Sequence, residues 1–245
     1  MPARRAPQDD AEILADGDAS DLTAKMRDYL AEIYRLSDRA ADVQPHDVFI
    51  GTSALAEIKD VSPPAVNRMV TRLREMGYII HEPYRGIRLT PAGEREALKQ
   101  LRTQRIVESF LVSVMGFGWQ DIHAEASRMA HGLPEMVTQR MAEMAGNPKS
   151  SPLGEPIPGA DGVIEQPLND MLLTEAAESV TYRITRVRSR ERDRLEYMSA
   201  LGLVPHAQIE VIHKAPFNGP IQLRCGREYR IIGHNLAEMI KVMPA

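Results

Sequence analysis

Residues 52–90 read TSALAEIKDVSPPAVNRMVTRLREMGYIIHEPYRGIRLT, and this stretch decides the fold. Its first part fits a short helix over Thr52–Ile58, with Thr52 or Ser53 as N-cap. A second helix follows almost at once. Ser62 offers a capping hydroxyl, Pro63 and Pro64 suit a first turn, and Val66, Met69, Val70 and Leu73 form an apolar stripe. Gly77 stops it. Tyr78–His81 and Ile87–Thr90 are short strand-like runs joined by the turn Pro83-Tyr84-Arg85-Gly86. Helix, tight turn, helix and hairpin is the order of a winged helix-turn-helix, whose second helix enters the DNA major groove with its N-terminal residues towards the base edges.

The local charge agrees with that reading. Residues 62–90 hold five arginines (Arg68, Arg72, Arg74, Arg85, Arg88) against Glu75 and Glu82, an excess of +3. The whole chain carries −4 with a pI near 6.0, which taken alone argues against a nucleic-acid partner. Phosphate neutralisation depends on the charge at the contact, so the local excess outweighs the total. Arg68 is the first candidate for a base contact, followed by Ser62 and Pro64. Asn67 and Arg72 suit phosphates, Arg85 and Arg88 lie on the wing, and Lys59 and Arg74 either join them or face water.

Outward from this core, Met26, Leu30, Ile33 and Leu36 mark a helix before it, and residues 1–20, with Asp9, Asp10, Glu12, Asp16 and Asp18, read as a disordered acidic tail. After it, Pro91 opens a helix to about Met115, and a further helix spans roughly Trp119–Ala145, interrupted or bent near Pro134. Residues 146–159 are dense in proline and glycine and read as a connector. Short β-prone runs follow at Ser179–Val187, Gln208–His213, Ile221–Cys225, Tyr229–Ile232 and Ile240–Val242, with one helical patch at Arg194–Leu201. The expected architecture is mostly α with a small β part. It comprises a tail (1–20), a winged helix-turn-helix domain (21–95), a helical domain (96–145), a linker (146–172) and a small β-barrel (173–245). No apolar run approaches the roughly 20 residues of a membrane span, and the N-terminus lacks a signal peptide's apolar middle, so a cytoplasmic protein is expected. The lone Cys225 excludes an intramolecular disulfide framework and a thiolate metal cage.

Several motifs resemble the diphtheria toxin repressor family, which includes iron-dependent repressors and manganese transport regulators. They are Asp28-Tyr-Leu-Ala-Glu-Ile-Tyr34, Val61-Ser-Pro-Pro-Ala-Val66, Tyr84-Arg-Gly-Ile-Arg-Leu-Thr90, Ile122-His-Ala-Glu-Ala126 with His131, and Asn147-Pro-Lys-Ser-Ser-Pro-Leu-Gly-Glu-Pro-Ile-Pro-Gly159. The resemblance implies a homodimer with an N-terminal winged helix, a helical dimerisation and metal-binding domain, and a C-terminal SH3-like domain. It implies a transcription factor activated by Mn²⁺ or Fe²⁺, binding a palindromic double-stranded operator and commonly repressing metal-uptake genes.

Ligand chemistry at helical spacing supports a metal. His123, Ser127 and His131 fall at i, i+4 and i+8, Gln104 and Glu108 at i and i+4, and Asp28 lies on the first helix. Imidazole and carboxylate suit Mn²⁺ or Fe²⁺. By the resemblance, the principal site maps to Asp28, Ser127, Ala130 and His131, and the ancillary site to Gln104, Glu108 and His123. Ser127 is a weak ligand and Ala130 has no donor, so either the ancillary site dominates or Glu32, Glu125, Glu191 or water completes the shell. The alternative is a regulator of the same fold with lost or altered metal sensing. A metallohydrolase built on Asp28, Glu108 and His123 lacks a His-Glu-x-x-His motif. The run Arg183, Arg186, Arg188, Arg190, Arg192 and Arg194 reads as a solvated strand edge, or else as a contact to DNA phosphates or the acidic tail.

Overall fold

The computed structural model describes residues 22–41, 48–165 and 168–245; the expected acidic tail lies outside them. The first unit is built on α1 (Ala24–Ala41), which buries Met26, Tyr29, Leu30 and Ile33. Helices α2 (Thr52–Lys59) and α3 (Pro63–Glu75) pack on it. Helix α2 starts one residue earlier than the capping argument expects. Gly51 is its N-cap, without a side-chain bond, and Thr52 is already helical. It ends at Asp60, whose left-handed φ of 50° turns its N–H back to the carbonyls of Ala56 and Glu57. Ser62 does occupy the N-cap of α3, but its hydroxyl caps nothing; Pro64 at the second helical position removes a donor that a cap would serve. Val66, Val70 and Leu73 face Leu30, Leu55 and Ile87, each burial contributing about 1.5–3 kcal/mol.

Strands β1 (Ile79–Glu82) and β2 (Gly86–Leu89) form the wing, in antiparallel register with Ile79 opposite Leu89. The incoming chain pins it, since Ile50 and Ile87 exchange two backbone hydrogen bonds of 2.8 and 2.9 Å. Gly86 is required there: its φ is +111°, and a Cβ would stand 2.3 Å from the Ile50 carbonyl oxygen.

Helix α4 (Pro91–Ser113) links the wing to the helical unit. Thr90 caps it, accepting from the Gly93 N–H (3.1 Å) and donating to the Gly77 carbonyl (2.8 Å). The helical span expected over 119–145, interrupted or bent near Pro134, is interrupted there, giving two helices, α5 (Ile122–Ala130) and α6 (Glu135–Met144). Gly132 at φ +72° and Pro134 at the next N-cap stop the ladder between them. Ile106, Val107, Leu111, Ile122, Ala126 and Met141 form the core of this unit.

The proline-rich segment after α6 is packed rather than loose. Leu153 belongs to the C-terminal core, and its carbonyl accepts from the Val187 N–H at 2.9 Å. The C-terminal unit contains β3 (Met171–Leu172), β4 (Val180–Val187), α7 (Arg192–Ala200), β5 (Gln208–Lys214), β6 (Ile221–Cys225), β7 (Glu228–Ile232), α8 (His234–Ala237) and β8 (Ile240–Pro244). Its six strands run in the order β3-β8-β4-β5-β6-β7, so the chain's last strand lies between two of its earlier ones. No ladder joins β7 back to β3 among the described residues, so the observed element is an SH3-like sheet rather than a demonstrated closed barrel. Ile184, Leu195, Met198, Val211, Leu223 and Ile240 fill its core.

Gly86→Ala is expected to cost about 1–3 kcal/mol, because the methyl group meets the Ile50 carbonyl and the backbone angle is strained. Urea unfolding measures this. A midpoint unchanged from the wild type would show that the wing does not depend on the Ile50 docking.

Candidate DNA-reading face and metal pocket

All six DNA candidates face outward. Ser62, Pro64, Asn67, Arg68 and Arg72 are exposed on α3, and Arg85 is exposed on the wing. Asn67, Arg68, Thr71, Arg72 and Glu75 line a shallow groove along α3. The sequence reading missed Thr71, although it sits one turn beyond Asn67 on the same face. It also missed Phe49. The Arg85 guanidinium lies 4.1 Å from the Phe49 ring centroid and the Arg88 guanidinium 5.3 Å, while Arg85 Nη1 is 2.7 Å from Glu82 Oε2. The wing arginines are therefore held by an aromatic face before DNA arrives. Phe49 lies outside the helix-turn-helix pattern, so spacing could not flag it.

The six metal candidates separate into two groups. Asp28 is ion-paired with Lys59 of α2, whose ammonium also stands 5.5 Å over the Tyr29 ring. Ser127 is half-buried on α5. The His123–Ser127–His131 stripe is broken, because α5 ends at Ala130 and His131 is an exposed, extended C-cap. Gly132 and Pro134 are the cause. Of the proposed replacements, Glu125 pairs with Arg128 and Glu191 with Arg194 (2.9 Å), both on the surface.

The second group converges. His123 Nδ1 lies 3.1 Å from Glu108 Oε1 and 3.3 Å from Gln104 Nε2, and Glu108 and Gln104 are both buried. These residues share a pocket with α1 and with the turn after β4. Burial lowers the His123 pKa; the Glu108 hydrogen bond opposes that shift, and Arg190 and Arg35 reinforce it. The ring is accordingly neutral and able to coordinate. Gln104 Oε1 is occupied, accepting from Arg35 Nη2 at 2.6 Å.

Arg186, Arg188 and Arg190 of the arginine run are not a solvated edge, whereas Arg183 and Arg192 are exposed. Arg186 and Arg188 are buried. Arg186 grips Asp170 with Nε at 2.8 Å and Nη2 at 2.7 Å, Arg188 Nη2 donates to Asp38 Oδ2 of α1 at 2.7 Å, and Arg190 Nη1 reaches both oxygens of Glu32 at 3.1 and 3.0 Å. Arg39 returns a bond to the Arg188 carbonyl (2.9 Å). Arg186, Arg188 and Arg190 dock the C-terminal unit on α1 of the winged unit. Burial drives the carboxyl pKa values of Glu32, Glu155 and Asp170 up, but neighbouring guanidinia more than offset this, leaving all three below their ordinary values.

Tested against the donor chemistry, the two mapped metal sites differ. Among the described residues no three His, Cys, Asp or Glu side chains converge as a metal cage. The set Asp28, Ser127, Ala130 and His131 does not fit an ion: Asp28 is neutralised by Lys59, Ala130 has no donor, and His131 lies off the helix. Glu108 and His123 do fit one, as a carboxylate oxygen and a neutral imidazole nitrogen in contact within a polar pocket.

An exposed basic helix after a short turn, an arginine-bearing wing and a helical unit with a buried Glu–His pair define a winged-helix DNA-binding regulator. Residues 21–87 match the iron dependent repressor N-terminal DNA binding domain, 90–159 the iron dependent repressor metal binding and dimerisation domain, and 171–244 the FeoA domain. The iron-dependent repressor IdeR of Mycobacterium tuberculosis is 31% identical over 225 residues, covering 87% of this chain and 94% of that protein. The diphtheria toxin repressor of Corynebacterium diphtheriae is 30% identical over 141 residues, covering 58% of this chain and 59% of that protein. A solved manganese-dependent transcriptional repressor in complex with manganese superposes with a TM-score of 0.78 at 26% identity, covering 90% of this chain and all (100%) of that one. The IdeR of T. acidophilum does so with 0.76 at 25%, covering 89% and 97%. The chain belongs to the diphtheria toxin repressor family of metal-dependent transcriptional repressors.

Two measurements separate the roles on α3. Arg68→Ala is expected to cost about 1–3 kcal/mol on a cognate operator and to flatten discrimination at one base pair, while Arg72→Ala weakens all sequences alike and lowers the salt slope by about 1. A competition series over operator variants at several salt concentrations checks both, and identical profiles for the two variants would refute the division.

The docking network has an acid signature. The depressed carboxyl pKa values of Asp170, Glu155 and Glu32 contribute stability that is complete above their ordinary values of 3.8 and 4.5. That contribution is lost as pH falls through the lowered native values. Asp170→Asn is expected to cost about 3 kcal/mol at neutral pH, since it removes the two-point partner of buried Arg186 and leaves it only the longer contacts to Glu155 and Asp38, and to shrink the acid loss. Thermal unfolding between pH 7 and pH 2 reads both effects.

Proposed function

We propose that the chain is a homodimeric, Mn²⁺- or Fe²⁺-dependent transcriptional regulator and not an enzyme, binding a palindromic operator and repressing metal-uptake genes. The observation that carries the metal part is the Glu108–His123 contact of 3.1 Å, buried where α4 and α5 face α1. When bound, the ion supplies a dipositive charge that both side chains can share. Everything else is done by the chain. Helix α1 carries α2 and α3 on its apolar face, and Arg35 ties α1 to Gln104 beside the Glu108–His123 pair. A change at Glu108 and His123 is thus passed to the reading head through the Gln104–His123 contact, the Arg35–Gln104 hydrogen bond and one helix packing. An ion favours whichever α1 position suits its ligands, and the operator favours one spacing of the two α3 helices; both bias the same equilibrium.

The dimer reading rests on exposed apolar side chains of the helical unit. Met136, Val137 and Met144 stand out from α6, with Met115 and Phe117 after α4. In a two-fold dimer built there, the reading helices bind half-sites one helical turn, or a multiple of it, apart. The second reading, a regulator of this fold with altered metal control, is favoured by one observation, the Lys59–Asp28 pair at the principal site.

Mn²⁺ is expected to tighten operator binding by the wild-type chain, and Glu108→Gln with His123→Ala to abolish that response without changing binding in chelator. Fluorescence anisotropy at fixed salt, with Mn²⁺ or with EDTA, decides it. Equal affinity under both conditions for the wild type would leave the second reading standing and remove the first.

A further inference from the structure

The pocket that holds Glu108 and His123 is rich in positive charge. Five of its lining residues are arginines, against the carboxylates of Asp38, Glu108 and Glu155. Two of those guanidinia are joined to the ligand pair by a continuous polar chain. Arg190, from the turn after β4, holds both oxygens of Glu32 at 3.1 and 3.0 Å. Arg35 donates to Glu32 Oε2 at 3.3 Å and, through its other nitrogen, to Gln104 Oε1 at 2.6 Å. Gln104 Nε2 lies 3.3 Å from His123 Nδ1, and His123 lies 3.1 Å from Glu108. One end of this chain is the C-terminal unit and the other is the Glu108–His123 pair.

Each link disfavours a dication. The Gln104 oxygen, the third donor nearest the site, is withheld by Arg35. Glu32 is buried on α1 within the same network, and its charge is taken up by Arg190 and Arg35. Both guanidinia act electrostatically on the His123 ring. In a buried pocket two like-charged groups repel far more strongly than in water.

We propose that Arg190 is a cationic latch by which the C-terminal unit opposes metal binding: it neutralises Glu32 in the ion-free chain, and an ion at Glu108 and His123 weakens its hold. The coupling is reciprocal, so docking of the C-terminal unit raises the ion concentration needed for a response, and the ion loosens the docking. Glu32 is the residue through which this competition runs, because it is the one carboxylate that Arg190 grips with both its oxygens. This inference rests on the Glu108–His123 reading of the ion site.

The test is calorimetric titration of Mn²⁺ into the full chain and its variants, with thermal unfolding to confirm that each is folded. Arg190→Gln is expected to tighten Mn²⁺ binding by about tenfold, a size typical of coupling between sites. Glu32→Gln should weaken it, and Arg190→Lys, which keeps the charge and one donor nitrogen, should stay within about threefold of the wild type. A merely structural arginine would give unchanged or weaker binding in Arg190→Gln, and that result overturns the latch. If Glu108→Gln abolishes binding while Arg190→Gln has no effect, the ion site stands and the latch falls. If neither the wild type nor Arg190→Gln binds Mn²⁺, both readings fall.

Discussion

Charge buried where three units meet constrains the whole molecule. Glu32, Arg105, Arg186 and Arg188 are each less than a tenth exposed. An ion taken out of water costs several kcal/mol unless it is partnered and hydrogen-bonded, and a stranded one is worse. Each of these groups therefore dictates a partner at a defined place: Glu32 takes Arg190 and Arg35, Arg186 takes Asp170, Arg105 takes Glu155, and Arg188 takes Asp38. Those pairs cross from the C-terminal unit to α1 and from α4 to the proline-rich segment. The relative position of the units follows from charge pairing as much as from apolar contact.

On the proposed reading of the ion site, that arrangement lets one pocket serve both architecture and regulation. The Glu108–His123 pair opens onto the same cavity as the docking arginines, so any change of charge there is felt by the elements that position α3. The reading face is spared this coupling in its own composition. Its exposed residues carry no buried partners, and the wing arginines lean on Phe49 and Glu82 instead. Recognition and control are thus chemically separate and mechanically joined through α1.

Much of the fold was legible because it rests on local rules. The apolar stripe of Val66, Val70 and Leu73, the paired prolines at the start of α3 and the turn at Gly86 act within a few residues of themselves. The errors came where a local rule had a rival. Thr52 was expected to cap α2, but the extended conformation fell to Gly51. His131 was expected to continue a helical stripe, but Gly132 and Pro134 end α5 first. Arg186, Arg188 and Arg190 were read as part of a solvated edge yet are paired, because carboxylates distant in sequence, Glu32 and Asp38 among them, face them. Thr71 and Phe49 were missed for lack of any distinguishing spacing.

The amino-acid sequence by itself determined the winged helix-turn-helix, the local positive charge of its reading face and the family motifs, since all are carried by neighbours along the chain. It also determined that any metal here is held without thiolate, because the lone Cys225 sits on β6, far along the chain from the ligand positions. Only the tertiary structure decided which candidate ligands meet. Asp28 belongs to Lys59, His131 is turned outward, and Glu108 and His123 remain together under the influence of arginines from another unit. The physical reason is that ligand competence depends on what charge stands within a few ångströms. For a buried carboxylate or imidazole, that neighbour is chosen by the packing of helices and sheet, not by position in the chain.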